Sequence, residues 1–247
     1  MVEHTTPGVG ASAGCRIVAV TGTDTEIGKT VITMALAVRA RALGLRVAAM
    51  KPIESGMAAR VDEQRSDAEQ LARAAGADDD LHMVGPVVLD EPLAPMMAAL
   101  RAGLTIDLNV LDHARQSLSA ERDLLLVEGA GGILAPITRT YSFANLFKRW
   151  GAELIVVAGN RLGVLNHTLL TVRAAESEGL AIRAVILSDI SDSEPSIAEA
   201  TNYDALVTLL PQYPIHRFPW VDRLDDSSAL SAAAAGAGLD HVLLPKR

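Results

Sequence analysis

From residue 16 onward, short and uniformly apolar runs alternate with longer helical patterns, and this alternation constrains the fold more than any other feature. Residues 16–21 (RIVAVT), 46–50 (RVAAM), 123–127 (DLLLV), 153–158 (ELIVVA), 181–187 (AIRAVIL) and 215–218 read as strands. Such runs lack the apolar-polar alternation of a half-solvated sheet, so they belong to strands buried on both faces. Helical patterns fill the gaps: residues 28–43 with Gly44 as the stop, 66–75, 92–101, 108–119, 167–178 stopped by Gly179, and 197–210. The Ala-rich residues 227–238 read equally as helix or loop. The pattern predicts an α/β fold, a mostly parallel β-sheet with helices on both faces. Ligands in such folds bind beyond the carboxyl ends of the strands, so the residues following each strand carry the functional reading.

A length of 247 residues suits one domain, residues 15–247, preceded by a flexible N-terminal tail, residues 1–14. Aromatic residues make up only 3% against 49% hydrophobic, so the core must be built from Ala, Val, Leu and Ile. Lys and Arg total 22 against 30 Asp and Glu, a net charge of −8. A chain this acidic lacks the basic face that nucleic-acid binding needs, although it can still hold a small anion. The single cysteine, Cys15, cannot make an internal disulfide or a thiolate zinc site and suits a reducing compartment. No apolar run reaches the ~20 residues that span a bilayer, and no signal-peptide pattern opens the chain. The expectation is a cytoplasmic protein without a membrane partner.

The first strand runs into Gly22-Thr23-Asp24-Thr25-Glu26-Ile27-Gly28-Lys29-Thr30. A Gly-rich turn between strand and helix gathers backbone N–H groups around an anion at the positive end of a helix. Lys29 reaches terminal phosphates and Thr30 offers a hydroxyl to Mg²⁺. Five residues separate the glycines, where the general pattern has four. The second strand ends in Lys51-Pro52-Ile53-Glu54-Ser55-Gly56, which puts a second cation on the ligand side of the sheet. Ser66-Asp67-Ala68-Glu69 is a capping box, and Asp67 reads either as a favourable charge at a helix N-terminus or as a Mg²⁺ ligand. Glu128 closes an apolar strand before Gly129-Ala130-Gly131-Gly132, the usual place for a metal-holding or water-positioning carboxylate. Asn166, after the strand at 153–158, reads as an N-cap or as part of a helix start suited to a carboxylate.

These motifs, in this order and spacing, resemble dethiobiotin synthetase. The resemblance rests on residues 22–30, Lys51 to Gly56, Ser66-Asp67, Glu128 to Gly132 and Leu162 to His167, with Glu91-Pro92 through Pro95 similar to a substrate-side loop. It runs from about Ile17 to Trp220, and the five-residue spacing of the loop is that family's own form. It implies a phosphate-loop NTPase-like fold and a Mg²⁺-dependent ligase. That ligase joins CO₂ to 7,8-diaminononanoate at the expense of a nucleoside triphosphate, ATP with CTP or GTP as further candidates, and works as a homodimer. Carried over residue by residue, Lys29, Lys51, Thr25 and Ser55 are the catalytic group. Thr23, Asp24, Glu26, Ile27, Gly28, Lys29, Thr30, Glu128, Gly131, Ser188 and Pro219 face the nucleotide. Thr30, Asp67 and Glu128 surround the metal. Ser55, Pro95 and the segment Gly163, Val164, Leu165, Asn166 take the substrate, the last four from the partner subunit.

Two positions depart from the family pattern. Ser188 stands where many members carry an adenine-reading Asn, which predicts relaxed base selectivity, because a hydroxyl offers less than an amide's donor and acceptor together. Glu54 is an extra acid beside the reaction centre, read as pointing to solvent and given no role. The rival reading is a partition or septum-positioning ATPase switch. Such switches usually carry another Lys early in the loop, and Thr23-Asp24-Thr25 has none. A cobyrinate-type amidase would need a glutamine-hydrolysing domain for which the chain is too short. A binding module without catalysis would leave the set Lys29, Lys51, Asp67 and Glu128 unexplained.

Overall fold

The computed structural model describes residues 14–59, 65–76 and 79–244. The expected tail thus lies almost wholly outside the described residues. In chain order the elements are β1 (Arg16–Gly22), α1 (Lys29–Ala42), β2 (Val47–Met50), β3 (Ile53–Ser55), a 3₁₀ turn (Met57–Ala59), α2 (Asp67–Ala75), α3 (Leu81–Val84), β4 (Val87–Leu89), α4 (Pro95–Arg101) and α5 (Leu108–Ser119). They continue with β5 (Leu124–Gly132), β6 (Pro136–Thr138), β7 (Tyr141–Ser142), α6 (Phe143–Arg149), β8 (Glu153–Gly159), α7 (Val164–Ser177), β9 (Ile182–Ser188), α8 (Ile197–Leu209), β10 (Ile215–Phe218), α9 (Ser227–Gly236) and α10 (Asp240–Leu243).

The main sheet has the order β10-β9-β8-β1-β5-β2 with every pair parallel. Its strands carry apolar side chains on both faces, as the sequence requires. In β5, Leu125 and Val127 point into one core with Phe143, Phe147, Leu111 and Val172, while Leu124 and Leu126 point into the other with Ile32, Leu36 and Leu71. Helix α1 lies between α2 and α9 on the second face. It is buried from Ile32 to Val38 with only Ala, Val, Ile, Leu, Met and Thr, so small side chains let it sit close on the sheet. Two short ladders, β3 with β4 in parallel and β6 with β7 antiparallel, lie outside the main sheet.

Several boundaries differ from the sequence reading, each for a local reason. Helix α4 starts at Pro95, the first helical position that tolerates the missing N–H, rather than at 92. Strand β5 continues through the glycines to Gly132 instead of turning at Glu128, because Gly22 pairs with Gly132 beyond an irregularity in the ladder. Helix α7 starts at Val164 with Gly163 as its N-cap at φ 92, so Asn166 lies inside the first turn and is not the cap. Residues 227–236 are helical, capped by Asp226, whose carboxylate accepts from the N–H groups of Ser228 and Ala229. The short elements β3, β4, α3, β6, β7, α6 and α10 are too brief to show a period in sequence. Among the described residues no helix is long and apolar enough to cross a membrane.

Candidate functional site

Strand register brings the separate motifs to one level of the sheet. Val20 pairs with Glu128 and Met50 with Val127, so the phosphate loop, Lys51 and Glu128 emerge together from adjacent strands. Side chains alternate along a strand, so Glu128 points to the same face as Leu124 and Leu126, the face covered by α1. There it meets the first turn of that helix, and the Thr30 hydroxyl donates to Glu128 Oε1 at 2.8 Å. On the other side of β1, Ser188 pairs with both Gly159 and Phe218, and so joins the same edge.

In the loop, the Lys29 ammonium donates to the Asp24 carbonyl at 2.7 Å. Asp24 accepts from the Thr25 N–H at 2.8 Å and pairs with Arg161 at 2.6 Å. Burial and then the neighbouring Lys51 charge bring Lys29 down to about 8. Gly28 has φ 92, and a Cβ there would stand 2.7 Å from Ser188 Oγ. Gly28→Ala is therefore expected to cost about 1–2 kcal/mol for the left-handed backbone alone. The crowding against Ser188 adds to this, so Tm should fall and nucleotide affinity should drop at least about tenfold. Melting and nucleotide titration check both.

Lys51 is the hub of the site. Its ammonium meets Glu128 Oε1 at 2.5 Å and Asp67 Oδ2 at 2.9 Å. Burial would lower its pKa, but the two carboxylates outweigh that and hold it above the ordinary lysine range. Glu128 is fully buried, and among the described residues its second oxygen, Oε2, has no hydrogen-bond partner. An orphaned carboxylate oxygen costs free energy unless something charged completes it. Together with the Thr30 hydroxyl and Asp67 it forms an oxygen-only donor set, the kind that suits Mg²⁺. These residues therefore fit the implied metal. Glu54 corrects the sequence reading: it is 1% exposed and does not point to solvent. Its carboxylate accepts from the N–H of Asp67 at 2.7 Å and of Ala68 at 3.2 Å, the first turn of α2.

A cavity of about 930 Å³ opens over this cluster. Of the candidates, Thr25, Glu26, Ile27, Gly28, Lys29, Thr30, Lys51, Ser55, Asp67, Pro95, Glu128, Gly131, Ser188 and Pro219 line it. Thr23 and Asp24 do not, and neither do Gly163, Val164, Leu165 and Asn166, which sit at the start of α7. Val164 is buried in the core and its N–H donates to the Arg161 carbonyl, while Gly163 and Asn166 are exposed. The sequence reading missed Ala135, Val221 and Leu224 as lining residues, and no motif marks them.

The AAA domain family matches residues 16–228. The ATP-dependent dethiobiotin synthetase BioD of Anaeromyxobacter dehalogenans (strain 2CP-C) is 39% identical over 202 residues, 81% of this chain and 88% of that protein. The ATP-dependent dethiobiotin synthetase BioD 1 of Escherichia coli (strain K12) is 33% identical over 211 residues, 85% of this chain and 93% of that protein. A ParA family ATPase from Chlorobium tepidum TLS superposes with a TM-score of 0.50 at 15% identity, covering 92% of this chain and 95% of that one, a likeness of fold alone. With its phosphate loop, parallel sheet and two buried lysines set between relatives of that identity and coverage, the chain belongs to the ATP-dependent dethiobiotin synthetase family.

Proposed function

We propose that the protein is a ligase of biotin biosynthesis that converts 7,8-diaminononanoate, CO₂ and a nucleoside triphosphate into dethiobiotin. Residues 15–247 would act as one domain, as a cytoplasmic homodimer. The observation that carries this reading is the chain Thr30–Glu128–Lys51–Asp67, buried at Glu128 and Lys51, at the lip of the phosphate loop. Phosphoryl transfer needs cations, positioned donors and little covalent help from the protein, and that chain with Lys29 supplies them.

One substrate amine attacks CO₂, forming a C–N bond and releasing a proton to give a carbamate. A carbamate oxygen then attacks the γ-phosphorus and the nucleoside diphosphate leaves. The second amine closes on the carbonyl of the mixed anhydride and expels phosphate. Lys29 and Lys51 hold the charge of the transferring phosphoryl group and the carbamate, and Thr25 and Ser55 complete the polar wall. Loop residues Thr23 to Thr30 hold the phosphates, with Gly131, Ser188 and Pro219 toward the rest of the nucleotide. Pro95 borders the diamine, and Gly163 to Asn166 of a second subunit bind its carboxylate through backbone N–H groups at a helix start. Thr30, Asp67 and Glu128 would hold Mg²⁺, which neutralises charge on the phosphates.

The test is phosphate release from ATP and Mg²⁺ with and without the diamine and bicarbonate, with the product identified by mass. Diamine-dependent release with dethiobiotin formed is expected. Hydrolysis that ignores the diamine and yields no dethiobiotin would leave a phosphate-loop ATPase switch instead. Ser188, buried against Gly28, presents one hydroxyl at the nucleotide edge of the cavity. ATP, CTP and GTP are therefore expected to support turnover within about tenfold of one another, a difference of about 1.4 kcal/mol. A strong preference for ATP would refute that expectation.

A further inference from the structure

Glu54 is a fully buried acid in the cavity wall that the proposed chemistry leaves without a task. It stands on β3, three residues after Lys51, and is 1% exposed. Burying a carboxylate costs several kcal/mol unless polar partners compensate, so its position calls for a reason. Its two oxygens accept from consecutive N–H groups, Asp67 at 2.7 Å and Ala68 at 3.2 Å. The neighbouring amides of α2 are held otherwise: Ser66 N–H by Glu69 Oε2 at 2.7 Å and Glu69 N–H by Ser66 Oγ at 3.0 Å. The capping box therefore secures Ser66 and Glu69, and Glu54 secures the residue whose carboxylate faces Lys51.

We infer that Glu54 is a positioning residue of this site: it anchors the Asp67 backbone so that the Asp67 carboxylate meets Lys51 and the divalent cation. Ordinary capping does not need a buried Glu from another element, because Ser66 already caps α2. The link from β3 ties Asp67 to the strand that follows Lys51, so both partners of the 2.9 Å ion pair are set by one short segment. Asp67 opens α2 directly after residues 65 and 66, where the helix's own ladder offers its amide no acceptor. This inference rests on the proposed nucleotide chemistry, and the experiment separates the two.

Mn²⁺ is titrated into wild type, Glu54→Ala, Glu54→Gln and Glu69→Ala in the presence of a non-hydrolysable β,γ-imido ATP analogue, with bound Mn²⁺ read by electron paramagnetic resonance. Wild-type binding of Mn²⁺ with the analogue supports the nucleotide reading, and its absence overturns that reading and this inference with it. Glu54→Ala is expected to weaken Mn²⁺ affinity by about 10–100-fold, the range for a residue that orients a metal ligand. Its kcat should fall comparably while KM for ATP changes little. Glu54→Gln, which keeps one carbonyl acceptor, should recover part of both. Glu69→Ala, which loosens the same helix start at the capping box, should lower Tm without the loss of Mn²⁺ affinity. Unchanged Mn²⁺ affinity in Glu54→Ala, or an equal loss in Glu69→Ala, overturns the positioning role.

Discussion

Lys29→Met is expected to remove phosphate release and to raise thermal stability at the same time. The activity loss should reach about 10³-fold, the scale for deleting a preorganised charge that stabilises a transition state. The stability gain follows from what surrounds the ammonium. Lys29 is buried, donates to a backbone carbonyl, and shares its pocket with Lys51, so the fold holds its pKa down to about 8. A methionine fills the same space without charge, and the gain should be on the order of 1–3 kcal/mol at pH 7. The pH dependence has a definite sign. Between about 8 and the ordinary lysine value of 10.5 the unfolded chain binds more protons than the folded one, so wild-type stability rises with pH there. The advantage of Lys29→Met should therefore shrink across that window. Thermal melts at pH 7, 9 and 10.5 read it, and a variant less stable than wild type at pH 7 would contradict the argument.

The companion substitution, Lys51→Met, is expected to do the opposite to stability while also destroying activity. Lys51 lies between Glu128 and Asp67, and removing it leaves Glu128 fully buried without its ion-pair partner. Breaking a buried pair from one side costs about 3–5 kcal/mol, a large part of a domain's net stability. Neutralising the stranded partner should return part of that cost, so Lys51→Met with Glu128→Gln is expected to melt higher than Lys51→Met alone. Chemical denaturation of the single and double variants measures it. Additive losses, with the double variant less stable than either single one, would show that the pair is not coupled in the way its geometry implies.

The fold is legible in the sequence because burial on both faces leaves a strand no choice of composition. RIVAVT, DLLLV and ELIVVA each become central strands, and residues 108–119 form a helix with the bounds expected. The ends are less legible where two residues compete for one task. Asn166 is a good N-cap by chemistry, but Gly163 can adopt φ 92 and starts α7 three residues earlier. The glycines after Glu128 suggest a turn, but a neighbouring strand is present to pair with them, so β5 runs on.

The functional site divides in the same way. Gly22 to Thr30, Lys51 and Glu128 stand out from their neighbours because phosphate chemistry needs those residue types at strand ends, whereas Asp67 stands out only as an acid at a helix start. That Lys51 pairs with Asp67 and Glu128 while Lys29 does not is decided by strand register and by the face on which each side chain emerges. Glu54 is the clearest case. In sequence it is an unassigned acid beside a lysine; in three dimensions β3 carries it under the first turn of α2 and makes it the acceptor for the Asp67 backbone. Motif spacing is a property of one segment, but the partner of a buried charge is set by contacts between segments far apart in the chain. The sequence by itself therefore determined the parallel sheet, the phosphate loop and the residue types at the strand ends, whereas only the tertiary structure decided which of those charges neutralise one another.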